Sequence, residues 1–145
     1  MSIDVEDWFQ VQNLAIDAST WNNHEYRVAS NMDRMLELMD QNNVQSTCFI
    51  LGWIAERHPE TVKKIADAGH EIACHGYNHE LIYDLTPEQF REDVRSSKQL
   101  LQDVTGAEVV GYRATLPSTA QTDIFVVADA INKFHEKLIL LLFRL

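Results

Sequence analysis

The chain has 145 residues, a length that suits one domain and excludes two, and its 46% of apolar residues excludes a disordered protein. Twelve Lys and Arg stand against 22 Asp and Glu, a formal charge of −10, which argues against nucleic acid and anionic membranes as partners, since both reward clustered cations. Two cysteines, Cys48 and Cys74, are too few for a disulfide scaffold and fit a reducing compartment.

Ser2 to Val5 reads as a short strand running into an acidic turn, Asp4-Val5-Glu6-Asp7. Acids here, in place of a basic and then apolar start, predict a chain with no signal peptide and a cytoplasmic location. Residues 9–31 are mixed and read as a long loop with one helical turn. Met32, Met35, Leu36 and Met39 then fall at helical spacing behind Ser30 as cap, and Asn42-Asn43 ends that helix. Thr47 to Leu51 is a near-continuous apolar run, the mark of a strand buried on both faces. Pro59 opens a second helix with Val62, Ile65 and Ala66 on its apolar side, and Gly69 stops it. Glu71 to Cys74 is the third strand. Thr86-Pro87-Glu88-Gln89 is a capping box for a third helix, whose buried stripe is Phe90, Val94, Leu100 and Leu101 and whose stop is Gly106. Glu108 to Tyr112 is the fourth strand. From Asp123 to Leu145 apolar residues recur at helical spacing, which predicts one amphipathic C-terminal helix. Its apolar run, Leu138 to Phe143, is far short of the roughly 20 residues that span a bilayer. Strands alternating with helices predict an α/β fold with about four parallel strands and right-handed crossovers.

Three signals carry chemistry. His75 and His79 stand four apart just past a predicted strand and can converge on one point if the turn between them is helical; the alternative is two unrelated surface histidines. Asp4, Glu6 and Asp7 crowd three carboxylates at another strand end, a repulsion that solvent tolerates and a bound cation relieves better. Arg113 follows the fourth strand and by itself reads as a solvated charge. Together these residues fall at the C-terminal ends of different parallel strands, where barrels of this class build their sites. One carboxylate and two histidines make the ligand set of an open catalytic metal site, and a further carboxylate outside it suits a general base. Trp8, Phe9 and Trp53 offer flat apolar surface to a ligand or pack in the core.

The segments Ser2-Ile3-Asp4-Val5-Glu6-Asp7-Trp8-Phe9, Ser46 to Trp53, Ala68 to His79 and Gly111-Tyr112-Arg113-Ala114 resemble the polysaccharide deacetylase family with the NodB-homology domain, carbohydrate esterase family four. The branch they are most similar to is the one tied to bacterial exopolysaccharide export with exosortase sorting. The resemblance implies a partial (β/α) barrel of the NodB-homology type over residues 1–114. It implies a metal-dependent hydrolase that removes N-acetyl groups from a polysaccharide. Asp4 then matches the catalytic base, Asp7 is the metal-binding carboxylate with Glu6 as its replacement, and His75 and His79 are the metal-binding histidines. Arg113 matches the arginine that orients the base. The implied cofactor is a divalent ion, zinc first, with cobalt, manganese, nickel or iron as alternatives; the implied partner is an N-acetylated glycan.

The resemblance stops after Arg113-Ala114-Thr115-Leu116-Pro117, so residues 115–145 read as a divergent, helical tail on a truncated or frame-shifted domain. The family's later motifs, including the histidine that protonates the leaving amine, have no match, and His135 has the wrong neighbours. The expectation is therefore an impaired deacetylase. The alternatives are a non-catalytic remnant that binds a metal or a partner, and a cyclic amide hydrolase of the related allantoinase-like branch.

Overall fold

The computed structural model describes residues 1–115 and the two-residue strand Ile139–Leu140. Five parallel strands form one sheet in chain order: β1 (Ser2–Val5), β2 (Thr47–Ile50), β3 (Glu71–Cys74), β4 (Gly111–Tyr112) and β5 (Ile139–Leu140). Sequential parallel order is the winding of a (β/α) barrel wall, and right-handed crossovers put the connecting helices on one face. The helices are α1 (Val28–Gln41), α2 (Gly52–Arg57), α3 (Pro59–Asp67) and α4 (Pro87–Thr105). No helix among the described residues is long and apolar enough to cross a membrane.

The register sorts the strand residues into two faces. Ile3 pairs with Cys48 and Cys48 with Ile72; Val5 pairs with Ile50 and Ile50 with Cys74. These residues pack with Val62, Ile65, Phe90, Val94 and Leu101 from the helices in one apolar core. The alternate residues make a second row: Asp4 beside Phe49 and Phe49 beside Ala73. Because Cys74 pairs with Tyr112, Gly111 continues that row. The approach is tight there, since a Cβ on Gly111 would stand 2.9 Å from the Ala73 Cβ. The inner face is therefore aromatic at Phe49, small at Ala73 and Gly111, and acidic at Asp4.

Most caps are where the sequence places them. Thr86 Oγ1 accepts from Gln89 N and the Gln89 side chain returns to Thr86 N, closing the box at the start of α4. Gly69 and Gly106 take the left-handed conformation at φ +82° and +70°.

Four elements differ from the sequence pattern. The stretch after β1 holds three short 3₁₀ segments, Trp8–Gln10, Gln12–Leu14 and Ala18–Asn23, in place of one helical turn. The first helix begins at Val28, two residues before Ser30. Its first amides are met by the distant Asp7 carboxylate, so no local cap is needed. Helix α2 was not expected, because six residues are too few to show a helical period. Finally, Ile139–Leu140 pairs parallel with β4, although the apolar spacing there predicts helix. A short apolar run fits either state, and the open edge of β4 supplies hydrogen bonds that only the strand can use. The rest of the expected C-terminal helix lies outside the described residues.

Candidate metal centre

Strand phase decides which acid faces the site. Glu6 is in phase with Asp4, on the inner row, whereas Asp7 is out of phase. Asp7 is buried at 3% exposure and its carboxylate serves the backbone: Oδ1 accepts from Trp8 N at 2.9 Å, and Oδ2 accepts from Arg27 N at 2.7 Å and Val28 N at 3.0 Å. It thereby holds the first 3₁₀ turn and the N-terminus of α1 together, where a carboxylate also suits the helix dipole. Of the acids expected around the histidines, the structure brings in Glu6, the stated replacement, and directs Asp7 elsewhere.

His75 continues the inner row from β3, and His79 closes a turn through a left-handed residue at φ +58°. Ligand atoms of Glu6, His75 and His79 all lie within 4.8 Å of one another. The two Nε2 atoms face each other at 3.1 Å. His75 Nδ1 lies 2.9 Å from the Arg113 carbonyl oxygen and His79 Nδ1 lies 2.8 Å from the Gln10 carbonyl oxygen. A carbonyl only accepts, so each Nδ1 carries the proton, and a ring that is neutral presents its lone pair at Nε2. Two acceptors at 3.1 Å repel unless a cation or a proton lies between them. Burial pushes His75 down to about 4, with Asp4 opposing and the neighbouring His79 adding, so His75 itself is neutral at neutral pH. Glu6 Oε2 is buried with no hydrogen-bond donor among the described residues, 3.3 Å from His79 Nδ1. Burial raises the Glu6 carboxyl, with His79 opposing and Asp4 adding.

This donor set fits a divalent cation. Two imidazoles, each oriented by a carbonyl at Nδ1, turn their Nε2 atoms toward one another, and Glu6 offers a carboxylate ligand atom within 4.8 Å of theirs.

Asp4 stands beside this set. Its Oδ1 accepts from Arg113 Nη1, and Arg113 Nη2 donates to Ser2 Oγ at 2.8 Å. The guanidinium lies 3.9 Å over the Phe49 ring, so an aromatic face on the inner row steers the arginine back across the sheet to β1. Asp4 is 36% exposed at the side chain and Arg113 17%, which leaves the carboxylate open to solvent and its partner largely covered. Arg113 is thus a paired and stacked residue, where sequence alone reads a solvated charge.

The aromatic residues divide. Phe9 and Trp53 are buried and pack against Trp21 and Tyr26, whereas Trp8 is 39% exposed and is the one of the three with a face to offer.

The sequence pattern passes over three residues near the histidines. Gln10 supplies the carbonyl behind His79, the Gln12 side chain donates to the His79 carbonyl oxygen, and Asp93 of α4 accepts from Tyr77 N at 2.9 Å. No spacing connects these to the histidines, because they arrive from distant parts of the chain.

The polysaccharide deacetylase family model matches residues 14–131. A peptidoglycan deacetylase of Helicobacter pylori is 37% identical over 81 residues, which is 56% of this chain and 28% of that protein. A peptidoglycan-N-acetylglucosamine deacetylase of Bacillus cereus is 33% identical over 73 residues, 50% of this chain and 26% of that one. The chain thus spans about a quarter of the length of these relatives. Among solved structures, a Mycobacterium smegmatis protein assigned as a polysaccharide deacetylase superposes with a TM-score of 0.70 at 30% identity, over 89% of this chain and 46% of its own. A carbohydrate esterase family four pseudoenzyme of Bacillus anthracis shares the fold, with a TM-score of 0.68 at 20% identity over 92% of this chain and 39% of its own.

Proposed function

The chain belongs to the polysaccharide deacetylase family, and from that membership we propose that it is a metal-dependent hydrolase that removes N-acetyl groups from a glycan. The observation that carries this reading is the pair of facing Nε2 atoms in a cluster where ligand atoms of Glu6, His75 and His79 all lie within 4.8 Å of one another. That arrangement is unfavourable for the protein alone and favourable around a cation.

Glu6, His75 and His79 hold the ion in this reading, and Asp7 stays with the backbone. Zinc suits two imidazoles and one carboxylate; cobalt, manganese, nickel and iron bind similar sets. When bound, such an ion supplies Lewis-acid polarisation of the acetyl carbonyl and lowers the pKa of a water beside it. Asp4 accepts the proton as the water oxygen bonds to the acetyl carbon. Arg113 holds the carboxylate in place. The C–N bond then breaks, acetate departs and the amine takes up a proton. Among the described residues, Asp4 is the group that has just received one. Trp8, exposed two residues after Glu6, offers an apolar face to a sugar ring. The exopolysaccharide branch, suggested by the text of the first motif, makes an exported N-acetylated polysaccharide the substrate to try beside peptidoglycan fragments.

The test measures acetate released from N-acetylglucosamine oligomers, peptidoglycan fragments and an exopolysaccharide by protein stripped with chelator and reloaded with zinc. Release that requires the ion and is lost in His75→Ala supports the reading. A second reading is a non-catalytic metal-binding domain. Stoichiometric zinc without acetate release from any of these glycans selects it. Absence of both zinc and acetate release overturns the metal-dependent hydrolase.

A further inference from the structure

The turn that carries His75 and His79 brings their two Nε2 atoms, both acceptors when the rings are neutral, to 3.1 Å, so contacts outside the pair hold it closed. Its carbonyl side is tied to α2: Gly52 N donates to the Gly76 carbonyl oxygen at 2.8 Å and Trp53 N to the Tyr77 carbonyl oxygen at 3.2 Å. Its amide side is tied to the second turn of α4, where Asp93 Oδ1 accepts from Tyr77 N at 2.9 Å. The Asp93 carboxylate also packs against the bare Cα of Gly76. That glycine sits at φ +79°, and a Cβ on it would stand 2.8 Å from Asp93 Oδ2. The fit between a residue with no side chain and a carboxylate from another helix is therefore specific to this turn.

Asp93 is a costly choice for the fold alone. It is partly buried, and burial lifts its carboxyl to about 6, with the Tyr77 amide opposing and Glu80 adding. A polar acceptor kept where its charge is disfavoured, touching a turn that holds ligands, points to a role in the site.

We propose that Asp93 is a positioning residue of the metal centre: through the Tyr77 N–H it sets the turn that aims His75 and His79 at one another. The inference rests on the metal-centre reading above and adds to it a residue on α4 that touches no ligand. Without Asp93 the Tyr77 amide loses its acceptor, and the repulsion between the two Nε2 atoms opens the turn. Supporting hydrogen bonds around metal ligands typically carry a factor of roughly 10 to 100 in affinity, and that is the size expected here.

The experiment compares wild type, Asp93→Ala and Asp93→Asn. Zinc affinity is measured by chelator competition, and exchange of the Tyr77 amide is followed in ion-free protein by NMR. The Ala variant is expected to bind zinc about 10- to 100-fold more weakly and to exchange the Tyr77 amide faster. Asn keeps an acceptor oxygen at the same place, so it is expected to stay within about threefold of wild type. It also serves as the comparison should the Ala variant fold poorly. Wild-type affinity and an unchanged Tyr77 amide in the Ala variant overturn the proposal. So does an Asn variant as weak as Ala, because the charge and not the hydrogen bond would then matter. If wild type binds no zinc while the Ala variant still frees the Tyr77 amide, Asp93 positions the turn and the metal reading falls. If neither changes, both fall.

Discussion

At the scale of single residues, the acidic turn separates two roles that composition makes equivalent. Glu6 faces two imidazoles and lacks a donor, whereas Asp7 accepts three backbone N–H groups. Their substitutions are therefore expected to fail differently. Glu6→Gln should keep the melting temperature of the ion-free protein and lose zinc by more than the roughly 10- to 100-fold of a lost supporting hydrogen bond. Asp7→Ala should cost about 2–4 kcal/mol in urea unfolding, because buried amides at the first turn and at α1 lose a charged acceptor. If instead Asp7→Ala abolishes zinc binding at full stability, the assignment of the two acids reverses. Asp93 supplies a pH signature. Its carboxyl lies at about 6 in the fold against 3.8 ordinarily, so below about pH 4 both folded and unfolded chains carry the proton. As pH rises toward 6 the unfolded chain releases it first, and stability falls by at most about 3 kcal/mol. Asp93→Asn should remove that fall, and unfolding curves at pH 4 and pH 7 on both proteins measure it.

Elements were legible to the extent that their ends are written in local chemistry. Thr86 with Gln89, Pro59, Gly69 and Gly106 mark helix ends because a cap acts within a few residues. The start of α1 has no local mark because its cap comes from Asp7, 20 residues upstream of Arg27. Helix α2 escaped notice, yet its first turn anchors the carbonyls of the histidine turn. That dependence makes Gly76 a sensitive position. Gly76→Ala places a methyl group at a positive φ and against Asp93 Oδ2, so it should destabilise the fold by about 1–3 kcal/mol and weaken zinc binding as well. An alanine variant with wild-type stability and affinity would mean that the turn is less constrained than its contacts imply.

For the whole molecule, the centre joins parts distant in sequence, so ion binding should couple to global stability. Glu6 follows β1, the histidines follow β3, and Arg113 crosses from the end of β4 over Phe49 to reach Asp4. A ligand that binds only the folded chain stabilises it by about 2.7 kcal/mol at 100 times its dissociation constant. For a chain of this size that should raise the melting temperature on the order of 10 °C. His75→Ala should melt at the same temperature with and without zinc. A zinc-dependent rise retained in that variant would locate the ion elsewhere.

The amino-acid sequence by itself determined the α/β class, the order of the first four strands, and the membership of Asp4, His75, His79 and Arg113 in one cluster at the strand ends. Each of these follows from a local pattern: a cap, an apolar run, or a polar motif just past a strand. The phase of β1 was also written there, since Asp4 and Glu6 alternate inward and Asp7 does not. What that alternation meant depended on α1, whose amides claim Asp7, and on the turn that brings His79 to Glu6. Tertiary structure alone decided which acid is left for the imidazoles, that Arg113 lies on Phe49, and that Asp93 holds the histidine turn. Those contacts join residues 16 or more positions apart, beyond the reach of any local pattern, and the packing of the sheet with its helices brings them together.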